Sequence, residues 1–286
     1  MNNTYIFKVL GNPIAHSLSP YIHSYFAKQF NLKIDYQKQL ISTDNLEFEN
    51  YVVNFFKQGG SGLNITLPFK EHAYNLAKHI MPNALYAKAV NTLWYDHKEN
   101  KIYGDNTDGV GLVNDIIYKH NITITDKNIL ILGAGGASKG VLYYLTKQNP
   151  ANIVIVNRTL NKAIELTKQA KQYSNINVNY LNIENLTQIN NLYIQFDIII
   201  NATSMGMDNN YHEFFIDNSY INQQCFAYDM IYNKFSPFIE WAKTNNIQYS
   251  DGLGMLIQQA AQSFYIWTNY KPQTDELYSL LKLKLN

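Results

Sequence analysis

Four short segments concentrate side chains that suit polyol binding and proton transfer. Asn64-x-Thr66-x-Pro68-x-Lys70 closes an apolar, strand-like run. Gly104-Asp-Asn-Thr-Asp-Gly109 gathers two carboxylates, an amide and a hydroxyl. Alternation places Asn64 and Thr66 on one face of a strand end, where α/β sheets present ligands. Lys70 follows on the first turn of a helix, where the dipole disfavours a cation. Asn12-Pro13-x-x-His16-Ser17-x-Ser19-Pro20 links a strand end to a helix. Its two serines point the same way if the chain is extended, and hydroxyls at a helix N-terminus suit a carboxylate. Val90-Asn91-Thr92 adds a further amide. Each segment also has an ordinary reading: a surface lysine, a turn with its cap, Ser19 as the N-cap of its helix. Ser19 as a cap leaves Ser17 and His16 unexplained.

A cofactor segment follows. The apolar run Ile129 to Leu132 breaks at Gly133-Ala-Gly-Gly-Ala137-Ser138 and continues into a helical pattern through Val141, Leu142 and Leu145. Glycines at a strand-to-helix turn let a pyrophosphate approach backbone N–H groups at the helix N-terminus. A second strand, Asn152 to Val156, comes at βαβ spacing and ends in Asn157-Arg158-Thr159. A site for NAD places an acid there for the ribose hydroxyls. An arginine suits a ribose 2′-phosphate, so NADP is the expected cofactor. Beside such a segment, the four polar clusters read together as a polyol site.

The elements that must position these groups alternate along the chain, which argues for an α/β fold. Strands are expected at 5–10, 34–40, 61–66, 90–95 and 101–103, then at 129–132, 152–156, 196–201 and 226–229, with a weaker one near 176–181. Helices are expected at 20–30, 44–56, 69–79, 110–120, 255–267 and 274–283. The segment 182–191 is polar and asparagine-rich and reads as surface structure. At 286 residues, 46% hydrophobic and 16% charged, the chain suits two medium domains with a real core. A net charge of +1 gives no electrostatic footprint for nucleic acid or an anionic membrane. Cys225 is the single cysteine, so no intrachain disulfide can form, and a reducing cytoplasm is the expected setting. The N-terminus lacks a signal-peptide pattern. The apolar runs fall short of the roughly 20 residues that span a bilayer. The seven histidines show no metal-ligand spacing.

With these motifs in order, the chain resembles the shikimate dehydrogenases over nearly its whole length. The resemblance rests on Gly11-Asn-Pro-Ile14-x-His16-Ser-x-Ser-Pro20, Asn64-Ile-Thr-Leu-Pro-Phe-Lys70, Ala89-Val-Asn-Thr92 and Gly104-Asp-Asn-Thr-Asp-Gly109. It continues through the glycine loop, Asn157-Arg-Thr159, Asn201-Ala-Thr-Ser-Met-Gly206, Tyr228-Asp-Met-Ile-Tyr232 and Gly254-Met-Leu-Ile-Gln-Gln-Ala-Ala261. It implies a two-domain α/β fold, an N-terminal substrate domain and a Rossmann-type NADP-binding domain with a cleft between. The implied division is 1–106 for substrate and catalysis and 107–251 for cofactor, with helices from about 252 to 286 packing back toward the first domain.

The resemblance also implies roles. Lys70 and Asp108 match the family's catalytic pair. Ser17 and Ser19 match its carboxylate-binding serines, and Asn64, Thr66, Asn91, Tyr232 and Gln259 its other substrate contacts. Gly133, Ala134, Gly135, Gly136, Ala137, Asn157, Arg158, Thr159, Lys162, Thr203, Ser204, Met230 and Gly252 match positions along NADP. The reaction implied is NADP-linked interconversion of 3-dehydroshikimate and shikimate, with a small-molecule substrate and a monomeric or homodimeric enzyme.

Two positions depart from the pattern. Lys88 stands where the family commonly has glycine, and Lys162 where it often has a second arginine. Lysine keeps the charge but loses the planar fork, so the margin of NADP over NAD is expected to shrink. The competing readings are a quinate-using, NAD-linked paralogue and a catalytically silent metabolite sensor. Arg158 argues against the first, and the presence of both Lys70 and Asp108 against the second.

Overall fold

The computed structural model describes residues 4–183, 194–203 and 216–285. The chain divides into two compact units, one of residues 1–111 and 256–286, the other of residues 112–255.

The first unit opens with β1 (Tyr5–Gly11), α1 (Ser19–Gln29), β2 (Ile34–Leu40), α2 (Asn45–Lys57) and β3 (Gly62–Ile65). Then come α3 (Lys70–Leu76), β4 (His79–Ile80), α4 (Pro82–Ala87), β5 (Thr92–Asp96) and β6 (Lys101–Asp105). The sheet order is β2-β1-β3-β5-β6-β4, with β1 parallel to both its neighbours and β5 antiparallel to both of its own. Leu10, Phe48, Val52, Leu63, Ile65, Phe69 and Val90 share one core. The amphipathic face of α2 supplies Phe48, Val52, Phe55 and Phe56 at helical spacing, and Asp44 caps it by accepting from Leu46 N–H at 2.8 Å.

From α5 (Asp108–Asn114) the chain turns through a π-helical segment, Asp115–Lys119, into the second unit. There β7 (Asn128–Leu132), α6 (Gly136–Thr146), β8 (Asn152–Asn157), α7 (Leu160–Ala170), β9 (Asn177–Asn182), β10 (Phe196–Asn201), β11 (Ile221–Asp229), α8 (Pro237–Thr244) and β12 (Gln248–Ser250) follow. Every strand pair is parallel, in the order β9-β8-β7-β10-β11-β12. That is the doubly wound dinucleotide-binding order, with its switch point between β7 and β10. Ile129, Ile131, Ile153, Ile155, Ile198 and Ile200 face one core, and Leu130, Leu132, Val154, Val156 and Ile199 the other. A sheet buried on both faces explains why these strands read as unbroken apolar runs. The chain closes with α9 (Leu253–Thr268) and α10 (Asp275–Leu285).

Two local expectations are corrected, and one element was not expected. Ser19 is the first residue of α1 and Leu18 holds the N-cap position, with no side-chain cap. The hydroxyl that meets the helix start is Ser17 Oγ, which accepts from Ser19 N–H at 3.3 Å in an i to i+2 turn. The helix expected over 69–79 ends at Leu76, because Ala77 turns extended and 79–80 pairs with β6. The short α4, with Pro82 at its first turn, is an element that composition alone hides. Most of the polar segment 182–191 lies outside the described residues. Among the described residues no helix is long and apolar enough to cross a membrane.

Candidate active site

In the first unit, the ends of β3, β5, β6 and α3 bring the expected polar residues together. Lys70 Nζ sits 2.6 Å from Asp108 Oδ2, with both side chains partly exposed. The other carboxylate oxygen accepts from Asn91 Nδ2 at 2.8 Å. The same amide lies 3.0 Å from Thr107 Oγ1 and 3.5 Å from Gln259 Oε1. Asn91 Oδ1 in turn accepts from Thr107 N–H at 3.0 Å and from Thr92 Oγ1 at 2.8 Å. Backbone bonds hold these side chains in place. Val90 N–H donates to Lys70 O at 2.9 Å, Asn91 N–H to Asp105 O at 3.1 Å, and Asp108 N–H to Asn106 Oδ1 at 3.0 Å.

A polar chain runs from this cluster to the serine pair. Asn64 is buried, donating to Asn91 O at 3.2 Å and to Ser263 Oγ at 3.1 Å. It accepts from the Tyr36 hydroxyl at 2.7 Å. Tyr36 also hydrogen-bonds Ser19, whose Oγ is 3.2 Å from Ser17 Oγ. Burial pushes the Tyr36 phenol up, against a smaller downward pull from Ser19, so it stays a neutral donor. His23 stacks on Tyr36 at 4.6 Å and is fully buried. Burial lowers its pKa to about 3, against a smaller upward pull from Asn64, so the ring is neutral. Thr66 is half-buried, and His16 is exposed.

In the second unit, the C-terminal ends of β7, β8, β10 and β11 carry the expected cofactor residues. Gly133 has φ +100°, and a Cβ there would lie 3.0 Å from Ala202 O. Gly135 is the N-cap of α6, which has no side-chain cap and no acid in its first turn. A Cβ on Gly135 or Gly136 would meet nothing within 4 Å. This is an open, uncapped helix N-terminus, the environment a pyrophosphate needs. Asn157 fastens it to the next loop, accepting from Ala134 N–H at 3.1 Å and donating to Thr159 O at 2.8 Å. Arg158 on that loop and Lys162 in the first turn of α7 are exposed and form no ion pair among the described residues.

Further along the same edge, Asn201 Oδ1 accepts from Thr203 N–H at 3.1 Å. Asp229, fully buried, accepts from Ile231 N–H at 3.0 Å and Asn201 Nδ2 at 3.2 Å, and from the Ser236 hydroxyl. Burial raises its pKa more than these bonds lower it. Gly252 packs so tightly that a Cβ would lie 2.3 Å from Met230 O. Tyr232 is half-buried, which raises its phenol pKa. Ser204 lies outside the described residues.

The chain matches three family models: the shikimate dehydrogenase substrate binding domain at residues 9–93, shikimate / quinate 5-dehydrogenase at 116–209, and the shikimate 5′-dehydrogenase C-terminal domain at 252–282. It is 41% identical to the shikimate dehydrogenase (NADP(+)) of Legionella pneumophila, over 96% of this chain and 98% of that one. The chain belongs to the shikimate dehydrogenase family. The enzyme of the same name from Colwellia psychrerythraea is 43% identical over 98% of this chain and 97% of its own. A crystal structure of a shikimate dehydrogenase in complex with NADP+ superposes with a TM-score of 0.84 at 30% identity, covering 100% of this chain and 98% of that one.

Within this shikimate dehydrogenase fold, the structure brings Ser17, Ser19, Asn64, Asn91, Gln259, Lys70 and Asp108 into one hydrogen-bonded system. Tyr36 and Ser263, which link its two ends, were not foreseen. Tyr36 sits on an inward position of β2, where a polar residue signals a partner. Ser263 lies one turn beyond Gln259 and meets Asn64 and Thr92 only through the folding of α9. Asp229 stands inside the Tyr228–Tyr232 motif, and its bonds to Ile231 N–H and Ser236, which hold the 230–236 loop, join residues that local spacing does not connect.

Proposed function

We propose that this chain is an NADP-linked oxidoreductase that interconverts 3-dehydroshikimate and shikimate in a cytoplasmic biosynthetic pathway. The observation that carries the reading is the Lys70–Asp108 pair at 2.6 Å, braced by Asn91 and joined through Asn64 and Tyr36 to the serine pair. Family membership and the NADP(+)-linked names of the relatives support it.

The residues of the second unit fit the cofactor: an open glycine turn at an uncapped helix, and exposed cations where a 2′-phosphate belongs. Gly133 to Ala137 would hold the pyrophosphate, and Asn157, Arg158, Thr159 and Lys162 the adenosine 2′-phosphate. Thr203, Ser204, Met230 and Gly252 would line the nicotinamide side. When bound, NADPH supplies the hydride.

Ser17 and Ser19 bind the substrate carboxylate, which fixes one end of the ring. Asn64, Thr66, Asn91, Gln259 and Tyr232 bind its hydroxyls and orient it. In the reducing direction, Lys70 delivers a proton to the carbonyl oxygen as that oxygen gains charge. In the oxidising direction, its neutral form removes the hydroxyl proton. Asp108 holds the lysine in place and balances its charge, and Asn91 fixes the carboxylate so that one oxygen always faces Lys70. The net reaction is 3-dehydroshikimate, NADPH and a proton to shikimate and NADP+.

The test is absorbance at the nicotinamide band with shikimate or quinate and NADP or NAD. Rapid reduction of NADP by shikimate is expected, with little from the other combinations. Turnover of quinate with NAD would reassign the substrate, and tight shikimate binding without turnover would remove the enzymatic role.

A further inference from the structure

Behind the proposed catalytic pair lies a buried carboxylate with no role in binding or proton transfer. Asp105 ends β6 and is 6% exposed. Its Oδ1 accepts from Asn106 N–H at 2.8 Å. The carboxylate also accepts from the Asn83 side chain and from Ala84 N–H, both in the first turn of α4. That helix has Met81 at its N-cap position and no side-chain cap of its own. Asp105 therefore caps α4 from β6, the strand paired with β4, meeting an N-terminus that its own sequence leaves open.

Two connections lead from this carboxylate to the pair. Through Asn106, it holds the turn whose Oδ1 accepts from Asp108 N–H and whose Nδ2 donates to Ala89 O at 3.0 Å. Through α4, it holds the segment 88–91, in which Val90 N–H bonds Lys70 O and Asn91 braces Asp108. Lys70, Asn91 and Asp108 each depend on a backbone that Asp105 fixes.

We infer that Asp105 is a positioning residue whose ionised carboxylate sets the geometry of the Lys70–Asn91–Asp108 cluster, so that protonating it lowers turnover. The inference rests on the proposed roles of that cluster. All three of its partners are donors. A protonated carboxyl turns one acceptor into a donor and leaves at least one of them unmatched in a buried site. Burial is the main influence on its pKa, raising it to about 6, while the three hydrogen bonds pull the other way. No charged group forms an ion pair with it among the described residues. Around it, Lys70 pairs with Asp108, His79 of β4 stacks on Tyr103 of β6, Lys88 after α4 is exposed, and Tyr86 is the titratable residue within α4.

The sign of the stability linkage separates positioning from unfolding. A carboxylate whose folded pKa exceeds its unfolded value favours the fold more as pH falls from about 6 toward 3.8. Turnover and the stability contributed by Asp105 are thus expected to move in opposite directions over that window.

The experiment is the pH profile of kcat for wild type, Asp105→Asn and Asn83→Ala, with amide chemical shifts of Ala84, Asn106 and Asp108 followed over the same range. Wild type is expected to lose about tenfold in kcat one unit below an acid midpoint near 6. Asp105→Asn, which cannot ionise, is expected to have lower kcat at every pH and no such limb. Asn83→Ala removes a bond that favours the charge and is expected to move the midpoint up by about half a unit. The three amides should share that midpoint and lose it in Asp105→Asn. An acid limb unmoved in both variants, or amides that ignore pH near 6, would overturn the inference. A wild type with no turnover at any pH would instead overturn the functional reading, and the amide titration would still decide the part played by Asp105.

Discussion

The two units build their candidate binding regions in opposite ways. In the first unit, side chains hold side chains: Lys70, Asp108, Asn91, Asn64, Tyr36 and the two serines form one network in which Asn91, Asn64, Tyr36 and Ser19 are buried. In the second, backbone does the shaping, through Gly133 at φ +100° and Gly252 against Met230 O, while Arg158 and Lys162 stand exposed, with no ion pair among the described residues. Positioning a reacting oxygen to within fractions of an ångström asks for over-determined side chains. Binding a long, charged dinucleotide asks mainly for open N–H groups and mobile cations. Substitutions should therefore act sharply in the first region and gradually in the second.

The sharpest test of that contrast within the network is Asp108→Asn. It keeps an oxygen for Asn91 but removes the charge facing Lys70, and kcat is expected to fall about 10²-fold or more. A loss under threefold would mean the network is ordinary packing. His23, beneath Tyr36, gives the next largest effect, in stability. Its folded pKa of about 3 lies below the ordinary 6.5, so the stability it contributes is complete above pH 6.5 and is lost as pH falls toward 3. His23→Phe should flatten that acid loss by about 2–3 kcal/mol in urea melts at pH 7 and pH 4.5.

In the second region, Arg158→Ala should cut the preference for NADP over NAD by about 10-fold to 100-fold, measured as the ratio of kcat/KM values. Lys162→Ala should cost several-fold less, because an exposed lysine offers a point charge without a fork. Equal effects from the two would break the ranking. The smallest change concerns Lys88, which ends α4 in the left-handed region at φ +50°. Lys88→Gly relieves that strain but adds unfolded-state entropy, so a gain of about 0–1 kcal/mol in thermal unfolding is expected.

The second unit was the more legible in sequence. Its doubly buried strands read as unbroken runs such as Ile129–Leu132 and Ile153–Val156, and the glycine turn announces itself. The first unit gave up its site residues through motifs but hid their supports. Tyr36, Ser263 and Asp105 come from three elements that no local spacing joins, and each gains meaning only when β2, α9 and β6 meet Asn64, Thr92 and α4. Ser19 was misplaced as a cap for a related reason. The i to i+2 hydroxyl contact belongs to Ser17, a difference of two residues that residue type cannot decide.

The most direct test of the central claim is the kcat of Lys70→Ala for shikimate with NADP, with KM measured alongside. Proton transfer by Lys70 predicts a fall of about 10²-fold to 10⁴-fold in kcat with a modest change in KM. A kcat close to wild type would contradict it and return Lys70 to the status of a surface lysine.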